Sequence, residues 1–362
     1  MNEKELLPSQ VAESLGWQRS IMSKFLSGTT LDFYNALRLA KQLDTLNYLE
    51  IMDDYCLTLK KKSGVLCAFE YASNYVRKHV TAKLLDIHSN KKGEIGEYCK
   101  IYKFYNERRN YSIVETLEFL KQNYGKTVSP ELNIKILLIE AGMYFDEMKF
   151  QTVLSLLQPL SKRIAEVRNR FVKESFDVRY AIFAANAELK ASGNTKESVK
   201  HCHFLIDSIV TPDVLFASAH HTLGHAKIFD SREESVYLFN RAIDLYKLAG
   251  YESNAKSVQI CDIAIVNNIH KQITDLDGLV GEELAHQLII RGENNSALDI
   301  LKDLPESPYT YLYEGMARKN FPLILKAHGI MMREGDGFFI KLFEKELFDL
   351  YNQKGDESYE EN

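Results

Sequence analysis

Four segments of the chain repeat one pattern: a small residue opens an apolar helical stripe just after a loop of Gly, Asn, Asp or Ser. They centre on Val153, Val199, Val236 and Ala297, at separations of 46, 37 and 61 residues. An ideal tetratricopeptide repeat recurs every ~34 residues, so these segments read as degenerate helical hairpins with insertions. Such a hairpin cannot bury its apolar face alone, and stacked copies form a curved superhelix with a concave face suited to an extended peptide. Only seven prolines and 18 glycines interrupt the chain. Runs with period-2 alternation are hard to find, so the expected fold is all-α, an N-terminal helix-turn-helix followed by a degenerate TPR-like helical-repeat superhelix.

The helix-turn-helix is read from residues 8–28. Ala12 sits where a larger side chain would push two helices apart, and Gly16 supplies a turn of positive φ. Met22 and Phe25 bury the inner face of the second helix. Its outer face then carries Gln18, Arg19, Ser20, Ser23 and Lys24, residue types that hydrogen-bond base edges or phosphates in a major groove. No Asp or Glu occurs between Ser14 and Leu31. Arg19 and Lys24 are thus unopposed in sequence, which favours a DNA-facing surface over a plain helical hairpin. Trp17, the only tryptophan, is expected to pack at the turn. Thr30 or Asp32 is expected to cap a third helix through Phe33, Leu37, Leu39 and Leu43.

At 362 residues the chain exceeds one typical core. The expected organisation is a DNA-binding head (1–45), a helical linker with first repeats (46–128), a TPR-like peptide-binding and dimerisation domain (129–352) and a frayed acidic tail (353–362). A net charge of −5 restricts nucleic-acid contact to a local surface. Residues 77–126 hold eleven Lys or Arg against six Asp or Glu, an excess read chiefly as a solvated helix face. Five widely spaced cysteines without a Cys-x-x-Cys pair suit reduced thiols, and no apolar run approaches a membrane span. The expected setting is the cytoplasm.

Nothing in the sequence nominates a catalytic centre or a cofactor. Gly125-Lys126-Thr127 lacks the earlier glycine of a phosphate loop, and there is no Gly-x-Ser-x-Gly elbow. Among His201, His203, His220, His221 and His225, the pair His221 and His225 is spaced i, i+4, as in two-histidine metal sites. Thr222 stands where a metalloprotease has its glutamate, and the same helix offers no third ligand, so no metal is expected. On the repeats, Asn186, His225, Asn267 and Asn268 are amide and ring side chains able to pair with an extended peptide backbone.

Particular runs resemble the arbitrium receptors (AimR) of temperate Bacillus phages. They include Met52-Asp53-Asp54-Tyr55-Cys56-Leu57-Thr58-Leu59, Ala68-Phe69-Glu70-Tyr71-Ala72, Glu97-Tyr98-Cys99-Lys100-Ile101-Tyr102-Lys103, Thr222-Leu223-Gly224, Val266-Asn267-Asn268, Glu283-Leu284-Ala285-His286 and Gly335-Asp336-Gly337-Phe338-Phe339-Ile340-Lys341-Leu342. The resemblance implies a homodimeric transcription regulator that binds a double-stranded DNA operator and senses a secreted six-residue peptide. The peptide-free form would activate a gene favouring lysis, and peptide would shut this off. By the same resemblance the family's groove asparagine falls on Asn186, its acidic ligand residue on Asp336 and an aromatic on Phe338. A second groove asparagine falls on His225, and a groove glutamine falls on Glu282. A groove arginine falls near Pro212-Asp213-Val214, where no basic residue stands, so a more acidic groove and a basic peptide group are expected. The alternative reading is a peptide-binding helical-repeat module that regulates a partner protein.

Overall fold

The computed structural model describes residues 7–28 and 31–360, with side chains described as far as Asn352. Every regular element among them is helical and no strand occurs. In chain order the α-helices are α1 (Pro8–Ser14), α2 (Arg19–Leu26), α3 (Phe33–Leu43), α4 (Tyr48–Thr58), α5 (Lys62–Asn74), α6 (Lys78–His88), α7 (Glu94–Glu107), α8 (Ile113–Asn123), α9 (Pro130–Asp146), α10 (Phe150–Leu157) and α11 (Leu160–Ala165). They continue with α12 (Arg170–Ser192), α13 (Thr195–Asp207), α14 (Asp213–Ala226), α15 (Arg232–Leu248), α16 (Glu252–Ser257), α17 (Ile263–Ile269), α18 (Gly281–Ile290), α19 (Asn294–Lys302), α20 (Pro308–Ala317), α21 (Phe321–Glu334) and α22 (Ile340–Glu360). No described helix is long and apolar enough to cross a membrane.

Two compact units share the chain. The first runs to Met143 and adds Leu156–Tyr180 and Ser208–Pro212; the second comprises Tyr144–Ser155, Ala181–Asp207 and the chain from Asp213. They are interleaved in sequence, unlike the successive segments expected from the sequence. Helix α22 continues to Glu360, into the segment expected to fray.

In the first unit, Pro8 opens α1 at a position where a missing N–H is harmless. Gly16 ends it at φ +62°. The Trp17 amide donates to the Ala12 carbonyl at 2.8 Å and the Gly16 amide to Glu13 at 2.9 Å, the paired bonds of a Schellman turn. Val11, Ala12, Leu15, Trp17, Met22 and Leu39 form one buried cluster, with Phe25 packed against it. Arg38 on α3 donates to the Leu15 carbonyl at 2.6 Å and so fastens the turn, a contact with no sequence signature. Asp32 caps α3 by accepting from the Asn35 amide at 3.1 Å. Thr30, the other expected cap, lies outside the described residues.

Farther along, Glu70 on α5 is fully buried and accepts four hydrogen bonds. Its donors are Tyr102 at 2.6 Å, Lys135 at 3.0 Å, Ser175 at 2.9 Å and Arg179 at 3.2 Å. Lys135 and Arg179 both also donate to Ser73 at 2.8 Å. Burial, with Arg179 adding repulsion, pulls the Lys135 ammonium down to about 8.

The second unit shows the repeat register. Val153, Ser198, Ser235 and Ala297 are each the fourth residue of their helices, α10, α13, α15 and α19, and each is fully buried. The expected centres Val199 and Val236 are only partly buried, one residue out of this register. The small serine, and not the following valine, takes the close-packed position. Ile324 on α21 holds the same place and is 1% exposed, a further copy hidden from sequence because its residue is large. Gly224 on α14 explains how tightly α15 packs: a Cβ there would lie 2.5 Å from the Phe239 ring. Ser235 closes the contact by donating to the Gly224 carbonyl at 2.9 Å.

Candidate functional site

On the first unit, Gln18, Arg19, Ser20, Ser23 and Lys24 are all exposed on one side of α2 and its leading turn, opposite buried Met22. Trp17 is 8% exposed and belongs to the core. The face carries two cations, one amide and two hydroxyls, and no side chain caps the first turn of α2. Such a surface suits phosphate and base-edge contact.

A second polar assembly lies wholly within the second unit. Helix α12 carries Asn186 and Lys190 one turn apart, and α14 likewise carries His221 and His225. A π-helical segment, Val258–Asp262, delivers Asp262 to these imidazoles. Asp262 lies 3.0 Å from His221 Nε2 and 3.0 Å from His225 Nε2. The two Nε2 atoms are 3.2 Å apart. Burial pulls the His225 imidazole down to about 4, partly offset by its bond to Asp262. Burial opposes ionisation of Asp262, yet hydrogen bonds to both imidazoles hold its carboxyl far below the ordinary range.

The loop between α21 and α22 completes the assembly. Gly337 donates to the Lys190 carbonyl at 2.6 Å. A Cβ on Gly193 would meet the Gly337 carbonyl at 2.7 Å, and one on Gly337 would meet that of Ala191 at 2.7 Å. This backbone-to-backbone seating sets Asp336 3.7 Å from Lys190. Asp336 also accepts from the Phe338 and Phe339 amides at 3.0 and 2.8 Å, shaping the turn before α22. Lys190 Nζ sits 4.0 Å from the Phe339 ring centre, and that ring lies 6.0 Å from His225. Burial lowers the Lys190 pKa against the pull of Asp336.

The expected peptide residues therefore separate. Asn186, His225 and Asp336 fall around this assembly; Asn186 accepts from Thr222, the neighbour of His221, at 3.5 Å. Asn267 is 8% exposed and is held by Arg232 at 2.9 Å. Asn268 is tied up by Glu283 at 2.7 Å and Gln287 at 2.6 Å. Glu282 accepts from Ser307, and its neighbour Glu283 is pushed up to about 7 by burial. Phe338 is 1% exposed with its ring 5.1 Å from Phe229, so it serves as core in this structure. Sequence reasoning missed Lys190, Arg232 and Asp262. Lys190 was signalled only by its i, i+4 spacing from Asn186, and Asp262 by nothing local. The missing basic residue at 212–214 is thus not the whole charge balance, because Lys190 and Arg232 supply cations here. The third donor near the two histidines, Asp262, comes from another segment and not from their own helix, where none is expected.

Comparison with known proteins fits this architecture. The family described as AimR transcriptional regulator-like matches residues 48–348. No curated protein sequence matches the chain. A selenomethionine phAimR structure shares the fold with TM-score 0.73 and 19% identity, over 96% of this chain and 94% of its own. A phAimR structure with ligand aligns at TM-score 0.68 and 19% identity, over 89% of this chain and 98% of its own. These likenesses carry the helical-repeat fold, and with the family match spanning most of its length, the chain belongs to the AimR transcriptional regulator-like family.

Proposed function

We propose that this chain is a peptide-responsive DNA-binding transcription regulator that controls a phage lysis–lysogeny decision. A peptide-free homodimer in the host cytoplasm would activate transcription from an operator, and a six-residue communication peptide would inhibit it. The observation that carries this reading is the one-sided helix α2: Met22 is buried, while Gln18, Arg19, Ser20, Ser23 and Lys24 stand exposed in a stretch, Ser14 to Leu31, whose sequence holds no Asp or Glu. Family membership and the ligand named with the phAimR structure support the peptide half. On this chain the peptide would be received by Asn186, His225, Asn267, Glu282 and Asp336, with Phe338 backing them from the core. Lys190 beside Asp336 gives that surface both signs of charge.

Two heads on a dimer can engage two half-sites only at a spacing compatible with the helical turn of DNA. A ligand shifts the population of such a spacing by its differential affinity and no more. The test is fluorescence anisotropy of purified protein on DNA flanking its own gene, with and without the peptide encoded by the short downstream reading frame. The expected result is a specific complex, weakened by peptide. Arg19→Ala and Lys24→Ala should each lower the salt dependence by about one counterion per lost phosphate contact. Absence of any sequence-specific complex would leave the protein-interaction module as the better reading.

A further inference from the structure

We propose that His221, His225 and Asp262 form a binding site for a single divalent transition-metal ion of the zinc class, with its remaining coordination position open to solvent. Three donor atoms from two segments, each of a type zinc favours, converge on one point. His221 Nε2 lies 3.0 Å from Asp262 Oδ2, His225 Nε2 lies 3.0 Å from Asp262 Oδ1, and the two Nε2 atoms are 3.2 Å apart. Donors about 2.0–2.2 Å from a tetrahedral zinc ion lie about 3.3 Å from one another, so the imidazole pair already stands near that spacing and one Asp262 oxygen can complete the face. The three ligand atoms all lie within 4.8 Å of one another, the only such His, Cys, Asp and Glu grouping among the described residues.

Without a metal, each neutral imidazole can donate its Nε2 hydrogen to its own oxygen of Asp262, at 3.0 Å in both cases. A cation taking the place of those two hydrogens would meet two imidazole lone pairs and a carboxylate aimed at one charge. His225 Nδ1 has no hydrogen-bond partner, so nothing at that nitrogen opposes the tautomer change that frees the Nε2 lone pair. The backbone carries an independent signal, because Asp262 ends a π-helical segment, a rare geometry concentrated at functional sites. Side-chain exposures of 26% for His221, 14% for His225 and 12% for Asp262 leave a path for entry and a face for a fourth ligand.

The proposal does not rest on peptide or DNA binding, and its test uses neither. Full-length protein, stripped by chelation and dialysed, is titrated with Zn2+ alone against a chromophoric competitor, and the Co2+-loaded protein is examined by visible absorption. One ion per chain and intense tetrahedral Co2+ bands are expected. His221→Gln and Asp262→Asn should each weaken Zn2+ binding by roughly 100-fold or more, since each removes a direct ligand. A His201→Gln/His203→Gln/His220→Gln variant should bind as the parent does. Circular dichroism checks that each variant folds, and the half-exposed His221→Gln decides the matter if Asp262→Asn does not. Unchanged affinity in His221→Gln, substoichiometric binding, or loss confined to the triple variant would each overturn the site.

Discussion

Two polar clusters in this molecule share an ingredient, a buried carboxylate between two nitrogen bases, yet differ in what surrounds them. Around Glu70 the exposures are 0% for the carboxylate, 1% for Lys135 and 11% for Arg179, and every acceptor is filled by side chains of the first unit. Around Asp262 the imidazoles are 26% and 14% exposed, their Nε2 atoms lie 3.2 Å apart, and His225 Nδ1 is left unpartnered. The sealed cluster is complete, so removing a member leaves an uncompensated charge in a low-dielectric interior. The open cluster keeps its nitrogens partly exposed, which is what makes it the one proposed above to take a metal ion.

The largest effect should come from breaking the sealed cluster. Glu70→Ala leaves Lys135 and Arg179 buried without their anion and should destabilise the protein by about 3–5 kcal/mol, read by urea unfolding. A variant that unfolds no earlier than the parent would remove the distinction drawn here.

A second, slightly smaller effect sharpens the comparison with a carboxylate that makes no ion pair among the described residues. Glu283 in the second unit has a folded pKa of about 7, raised by burial, with Asn268 and Tyr313 as its hydrogen-bond partners. An unfolded glutamate titrates near ~4.3. Between those values the folded state holds more protons than the unfolded one, so this group's contribution to stability falls as pH rises, from no penalty below the unfolded pKa to the full penalty above the folded one. Glu283→Gln should therefore match the parent near pH 4 and exceed it by about 3 kcal/mol or less at pH 8. Thermal melts at the two pH values check this, and a gap that is constant with pH would refute it. The smallest effect belongs to the open cluster: without added metal, His221→Gln should change stability by no more than about 1 kcal/mol, since it alters one partly exposed hydrogen bond. A loss as large as that of Glu70→Ala would make the triad a structural keystone instead.

Much of the fold was legible because helices announce themselves locally. Gly16 was read as a positive-φ turn, Asp32 as a cap and Ala12 as a close-packing position, and each takes that place. The repeat register differs by one residue from the expected centres Val199 and Val236, because the smaller Ser198 and Ser235 before them pack closest. The candidate peptide and metal surfaces were far less legible. His221 and His225 share a helix face by spacing, but their carboxylate partner lies some forty residues later on a π-helical turn that no periodicity foretells. Phe338, an aromatic read as a ligand contact, went instead to the core beside Phe229.

Local chemistry in the amino-acid order determined that this chain is helical, that its second helix shows a basic, hydroxyl-rich face, and that its later helices pair as hairpins. Those properties depend on neighbours three and four residues away. Tertiary structure alone decided that Asp262 meets two histidines, that Lys190 faces Asp336, and that Glu70 is sealed between two cations. Each of those pairings joins segments from some forty to well over a hundred residues apart in sequence, and only the packing of whole helices sets which charges are left with company.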